Sequence, residues 1–243
     1  MSERQKTALI SLIVLCVLGS FLGFAISHGM TQVNNPTGFP VHGISVSAAQ
    51  GELSWPSLVN RDIQFAFIMA TDGVSGIDPY FAYNFSSVRK TELWFGVYHR
   101  FRFDQSGAAQ AEHFINTVPH KKRNMLPPVV WLDLSEEEQQ NPPDVLRART
   151  ELITLLSLLE KHYGMRPTIY TTDRTYSLYV AYSFDGYDIW PHEAFGQPSL
   201  SDRRDWIFWQ YADQQELQGY DNTLFDMSVF NGSERDFERY RRR

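Results

Sequence analysis

The 243-residue sequence contains one cysteine, Cys16, and it lies in an apolar N-terminal run. No disulfide can form within the chain, so cysteine usage carries no message about redox compartment. Metal chemistry has no visible scaffold: there is no His-Glu-x-x-His and no cysteine pair, and no glycine-rich phosphate loop is present. Neither Ser45 nor Ser135 sits in the G-x-S-x-G setting of an activated serine. Net charge is −6, and basic residues form no stripe outside the terminal RYRRR, residues 239–243. That balance argues against nucleic acid as a partner. Internal repeats and low-complexity tracts are missing too. No metal and no cofactor is expected.

The N-terminus is richer. Residues 8–26, ALISLIVLCVLGSFLGFAI, carry no charge, and that length suits a helix across a bilayer. Arg4 and Lys6 precede the run, and the next Lys or Arg is Arg61. The positive-inside bias therefore places residues 1–7 in the cytoplasm and the rest outside. The rival is a cleaved signal peptide. Its apolar core is usually shorter, about 7–15 residues, and Ala25 and Ser27 offer only a weak cleavage site. A single-pass anchor in the cytoplasmic membrane is expected, with the domain facing the periplasm or the outside. Residues 27–40 are polar and turn-rich and read as a linker. Residues 41–243 form the domain.

In that domain, apolar runs alternate with helical patterns. IQFAFIMAT (63–71), LWFGVYH (93–99), PPVVWLDL (127–134), PTIYTT (167–172), YDIWPH (187–192) and WIFWQYA (206–212) read as strands. Near-continuous apolar strands imply burial on both faces, as in a parallel sheet covered by helices. Residues 144–164 read as a helix, with Leu146, Ile153, Leu156, Leu159 and Tyr163 at helical spacing. Asp144 is its cap and Gly164 its stop. Residues 106–118 read as another. The alternation predicts an α/β fold, either a (β/α) barrel or an open doubly wound sheet. In a barrel, ligands meet the C-terminal strand ends, which singles out His99, Asp133, Tyr170 and Gln210.

Several stretches, in order, resemble glycoside hydrolase family 25, the lysozyme-like N-acetylmuramidases that cut peptidoglycan. GISVSAAQGELSW (43–55) is similar to the opening G-I-D-V-S-x-x-Q-G-x-x-x-W. FAFIMATDG, DPYF and Asn84 follow, then GVYH (96–99), LDLS (132–135), PTIY, WQYA, Gly219 and DMSVFNG from Asp226. The resemblance spans Val41 to about Phe237. It implies a (β/α) barrel, irregular in its last strands, with a glycan groove at the C-terminal strand ends.

The resemblance also implies where the acids belong. Glycoside hydrolysis normally uses two carboxyl groups flanking the scissile bond. The opening aspartate falls on Ser45, and the proton-donating glutamate falls on Ser135. Asp133 and Asp226 are retained acids. Asp72 stands where the family often has glutamate, and Met69 where it has lysine. A serine hydroxyl titrates far too high to replace a general acid, whose loss typically lowers rates by about 10²–10⁴.

Rescue by Glu136 is one alternative, since it follows Ser135 directly, although strand alternation turns it away. Glu193, His42 and His99 are further groups that could lie near the mouth. Tyr98, Tyr170, Trp209 and Tyr211, with Asp72 and Gln210, are candidate sugar contacts; the rings fit an aromatic core equally well. Trp131 reads as core, and Trp55 as packing the first helix onto the barrel. The leading expectation is a membrane-anchored exported domain that binds peptidoglycan, or a protein that handles it, with impaired catalysis. Two alternatives stay open: an active muramidase with a rearranged acid, and an interaction module that blocks or tethers a cell-wall hydrolase.

Overall fold

A computed structural model describes residues 36–59, 62–120, 123–217, 219–220 and 222–242. The apolar segment 8–26 lies outside the described residues. Among those described, no helix is long and apolar enough to cross a membrane.

The strands are β1 (His42–Val46), β2 (Phe65–Asp72), β3 (Gly76–Ile77), β4 (Trp94–Arg100), β5 (Val129–Leu132), β6 (Thr168–Thr172), β7 (Ile189–His192), β8 (Phe208–Glu216) and β9 (Leu224–Phe230). Their order is β1-β9-β8-β7-β6-β5-β4-β2-β3, and β1 also pairs with β2. That last pairing closes eight strands into a barrel and leaves β3 as a short antiparallel appendage on β2. Within the barrel, β1, β2 and β4 to β8 run parallel. β9 alone runs against both its neighbours, β8 and β1. The (β/α) pattern therefore gives way to a hairpin, the expected irregularity in the last strands.

Helices α1 (Trp55–Leu58), α2 (Phe81–Val88), α3 (Gly107–Thr117), α4 (Glu136–Gln140), α5 (Val145–Tyr163), α6 (Asp173–Thr175) and α7 (Glu234–Tyr240) complete the domain. α5 begins at its Asp144 cap, whose Oδ1 accepts from Arg147 N at 2.8 Å. It ends at Gly164, φ 65°, a left-handed conformation that glycine adopts without steric cost. Its buried face is Ala148, Leu152, Leu155, Leu156, Leu159 and Tyr163. Leu146 and Ile153, expected on that face, are exposed. Apolar residues lie all around this helix, so spacing alone did not choose the stripe. Trp55 opens α1 and donates from Nε1 to Asn84 Oδ1 of α2 at 2.9 Å.

Strand alternation sorts the side chains into two cores. Outward residues such as Ile44, Ile68, Val97, Val130 and Ile169 pack beneath the helices. Inward residues Phe65, Phe67, Tyr98, Val129, Tyr170, Trp190, Phe208 and Phe230 fill the barrel. Rings this large need space opposite. A Cβ on Gly43 would come within 2.2 Å of the Phe65 ring, and one on Gly96 within 2.2 Å of the Phe67 ring. Each glycine leaves room for the phenylalanine ring in register with it. At the base, Phe237 and Tyr240 of α7 enter the same core, 5.8 Å from Phe65 and 5.5 Å from Phe208 between ring centres. Each such side chain contributes about 1.5–3 kcal/mol when taken from water.

Candidate functional site

The mouth is formed by the C-terminal ends of β1 to β8 and the N-terminal end of β9. Ser45, near the end of β1, is paired through Cα register with Asp226 at the start of β9. Both line a cavity of about 330 Å³ shared with Ser47, Gln50, Tyr98 and Gln214. Burial raises the Asp226 carboxyl above its ordinary range. The hydrogen bond from Gln214 N, at 3.2 Å, works against that shift, and nearby Asp213 adds to it. Burial also pushes the Tyr98 and Tyr170 hydroxyls up, helped by Asp226 at Tyr98 and by Asp213 and Asp226 at Tyr170. Both tyrosines stay protonated donors.

Below the rim lies a polar layer. Ser45 Oγ, Ser228 Oγ, Gln210 Oε1 and Trp190 Nε1 are buried and have no hydrogen-bond partner among the described residues. Gln210 and Ser228 are cross-strand partners. Buried polar atoms are normally satisfied, so this layer suits polar contact with water or a ligand.

The other acids are held by cations. Asp133 accepts from Arg100 of β4 at 3.4 Å. Asp72 takes a two-pronged contact from Arg102, at 2.5 and 2.7 Å. Ser135 is exposed and caps α4: its hydroxyl accepts from Glu138 N, and the Glu138 carboxylate accepts from Ser135 N at 2.9 Å. Glu136 is exposed on the first turn of that helix, just beyond the C-terminal end of β5. Glu193 closes its own turn by accepting from Phe195 N at 2.9 Å.

Four expected mouth residues lie elsewhere. His42 begins β1, at the base end of the strand. His99 faces outward beneath α3, between Thr71 Oγ1 at 2.7 Å and Gln110 Oε1 at 3.0 Å. Burial lowers its pKa to about 4. Trp209 also faces outward, against Phe39 and Trp206, and donates to Glu193 O at 2.8 Å. Tyr211 packs beside it. A sugar-facing role for Trp209 or Tyr211 does not fit this placement, because both belong to the layer between strands and surroundings. Gln210 is inside the barrel, donating to Asp213 at 2.6 Å.

Four mouth residues were not singled out from the sequence for this role. Trp131 lies inside, half-buried, and stacks on Tyr170 with ring centres 3.4 Å apart. Strand alternation held that signal, since Trp131 and Asp133 share a parity. Arg100 shares the parity of Tyr98 in the same way. His192 ends β7, its ring near-parallel to Tyr170 at 6.4 Å. Asp213 had no local signal. Regular alternation from Gln210 would send it outward, but β8 shifts register between Gln210 and Ala212, and the bulge turns it in. His192 Nε2 lies 3.0 Å from Asp213 Oδ1. The approach is off the N–H axis, so the contact is an ion pair rather than a straight hydrogen bond. Burial opposes charge on the ring, but Asp213, with Asp226 and Glu193 behind it, raises the His192 pKa. Correspondingly, contact with His192 lowers that of Asp213 against the effect of burial.

A closed barrel with charged and aromatic groups gathered at the strand ends has the build of a barrel enzyme domain. The family described as glycosyl hydrolases family 25 matches residues 44–220, and the chain belongs to that family. Among solved structures, a family 25 glycosyl hydrolase from Bacillus anthracis superposes with TM-score 0.82 at 37% identity, covering 85% of this chain and 96% of that one. A bacterial lysozyme from Streptomyces coelicolor gives 0.75 at 25% identity, covering 84% and 98%. Lysozyme M1 of Streptomyces globisporus is 30% identical over 209 residues, 79% of this chain and 68% of that protein. The protein YegX of Escherichia coli O157:H7 is 30% identical over 213 residues, 86% and 76%.

Proposed function

We propose that this protein binds the glycan of peptidoglycan in the barrel mouth and cuts it far more slowly than a muramidase does. The observation carrying this reading is the state of the carboxyl groups. Ser135, on which the resemblance puts the proton donor, is committed to capping α4. Asp133 is tied to Arg100, and Ser45 stands opposite Asp226 with no acid of its own. Glycan binding is supported by the family membership and by the half-buried Trp131 at the mouth, which packs between Tyr170 and Tyr98. An aromatic cluster at a barrel mouth suits a sugar ring. The charge-free run 8–26 supports a membrane anchor with the domain exported.

The test uses the full chain beside a Ser45→Asp, Ser135→Glu double variant. Retention on insoluble peptidoglycan and release of reducing ends are both measured. Retention with slow release by the wild type, and faster release by the double variant, is the expected result. Release at a muramidase-like rate by the wild type ends the impaired-enzyme reading. Absence of retention ends the glycan reading and favours a protein partner. Alkaline extraction of membranes tests the anchor: a spanning segment resists it.

A further inference from the structure

The mouth needs a group that can give up a proton near neutral pH. Asp133 and Asp72 are paired with arginines, Glu136 is solvent-exposed on the first turn of α4 and Glu193 closes a turn. His192 remains. Its ring sits at the end of β7, inside the ring of strand ends and stacked beside Tyr170. Nε2 lies 3.0 Å from Asp213 Oδ1, and Asp213 accepts from Gln210. Nδ1 has no hydrogen-bond partner among the described residues and is not a sealed atom. One imidazole nitrogen beside a carboxylate is the arrangement by which a carboxylate orients the ring and stabilises its cation.

We infer that His192, oriented by Asp213, is the proton donor to a glycosidic oxygen bound in the mouth, and that it carries the slow cleavage this domain retains. The inference rests on the glycan reading above. The imidazolium passes its Nδ1 proton to the bridging oxygen as the bond from C1 to that oxygen breaks. Water adds to C1 and yields its proton to the Asp226 carboxylate, whose desolvation makes it the stronger base. Solvent then returns the proton from Asp226 to the ring, and nothing is oxidised or reduced.

Groups on every neighbouring element bear on this ring. Tyr170 and Thr172 face it from β6, Gln210 and Asp213 from β8, Asp226 from β9, and Glu193 follows it just beyond β7. The charged groups that act most on the ring, Asp213, Asp226 and Glu193, are acids. They favour the cation, so the ring holds its proton at a pH where a free histidine has begun to lose it. Asp213 acts through the ring and is a positioning residue.

The experiment compares two substrates on the full chain: peptidoglycan glycan strands, whose leaving group needs a proton, and an aryl glycoside of N-acetylated sugars with an acidic phenol, which leaves without one. His192→Gln should lower glycan cleavage about 10²-fold, in the range for a lost general acid, and change aryl glycoside turnover little. Asp213→Asn should move the alkaline limb of the glycan pH profile to lower pH, since the ring loses its anion. Equal losses on both substrates, or an unmoved limb in Asp213→Asn, overturn the assignment. So does a wild type that is retained on peptidoglycan yet releases no reducing ends. That outcome leaves the binding reading standing, whereas failure of retention removes the binding reading as well.

Discussion

Ser45 and Asp226 face each other across the β1–β9 pair, where the first strand of the barrel meets its last. The Ser45 hydroxyl is buried and unpartnered there, beside a carboxyl already raised by burial. Ser45→Asp therefore adds a second carboxylate to a desolvated site. Thermal unfolding at pH 7 should show a loss of roughly 1–3 kcal/mol, the usual size for a burdened core position. The loss should shrink as pH falls and the two groups share a proton. An unchanged melting temperature at pH 7 would mean that water reaches this pair freely.

His99 predicts an acid-side loss of stability. Its folded pKa is depressed to about 4, below the unfolded value of about 6.5. Its contribution is thus fully present above about 6.5 and is lost as pH falls through about 4. The unfolded state binds the extra proton in that window. A depression of this size corresponds to about 3 kcal/mol. Urea unfolding at pH 7, 5.5 and 4.5 should be flatter for His99→Gln than for the wild type.

The His192 pair can be read without substrate. NMR titration should find His192 above the ordinary histidine value and lower in Asp213→Asn. For stability the signs oppose. The raised ring contributes below its unfolded pKa and fades as pH rises through the folded one. The lowered carboxyl contributes above its unfolded pKa and fades as pH falls through the folded one. The pair stabilises most between those limits. Asp213 is nearly half-exposed, and solvent screening keeps the energy small.

Gly96 is a packing requirement. Gly96→Ala drives a methyl group into the Phe67 ring and should cost about 1–3 kcal/mol, as overpacking does. Phe67→Leu in the same chain should recover part of that loss. Additive losses in the double variant would show that the clash is relieved elsewhere.

Trp131→Ala removes the ring stacked on Tyr170. Retention on peptidoglycan should weaken while near-ultraviolet circular dichroism of the remaining rings persists. Unchanged retention would move the glycan surface away from β5.

Much of the barrel was readable because its parallel strands are continuous apolar runs and its longest helix carries both an Asp144 cap and a Gly164 stop. The carboxyl positions came from motif order, not from pattern. What escaped depended on parity and register. Trp131 looked like core because a strand buried on both faces gives no polar alternation. Trp209 and Tyr211 looked like groove because the motif W-Q-Y does not say which face it turns. Asp213 was hidden by a bulge that reverses the count after Gln210. The β8–β9 hairpin was hidden because apolar runs do not state strand direction.

The seam between β1 and β9 has a consequence for how the chain becomes a protein. β1 has one neighbour, β2, close behind it in the chain, and another, β9, that lies at its far end. The base of the barrel is filled by α7, later still. While a ribosome is making the middle strands, the cylinder stays open along one side and at its floor. Phe65 and Phe208 then remain wet until residues 224–240 arrive. Assembly of this domain is therefore a closing event that waits on its last segment, and a chaperone that guards an unclosed sheet has its longest task here.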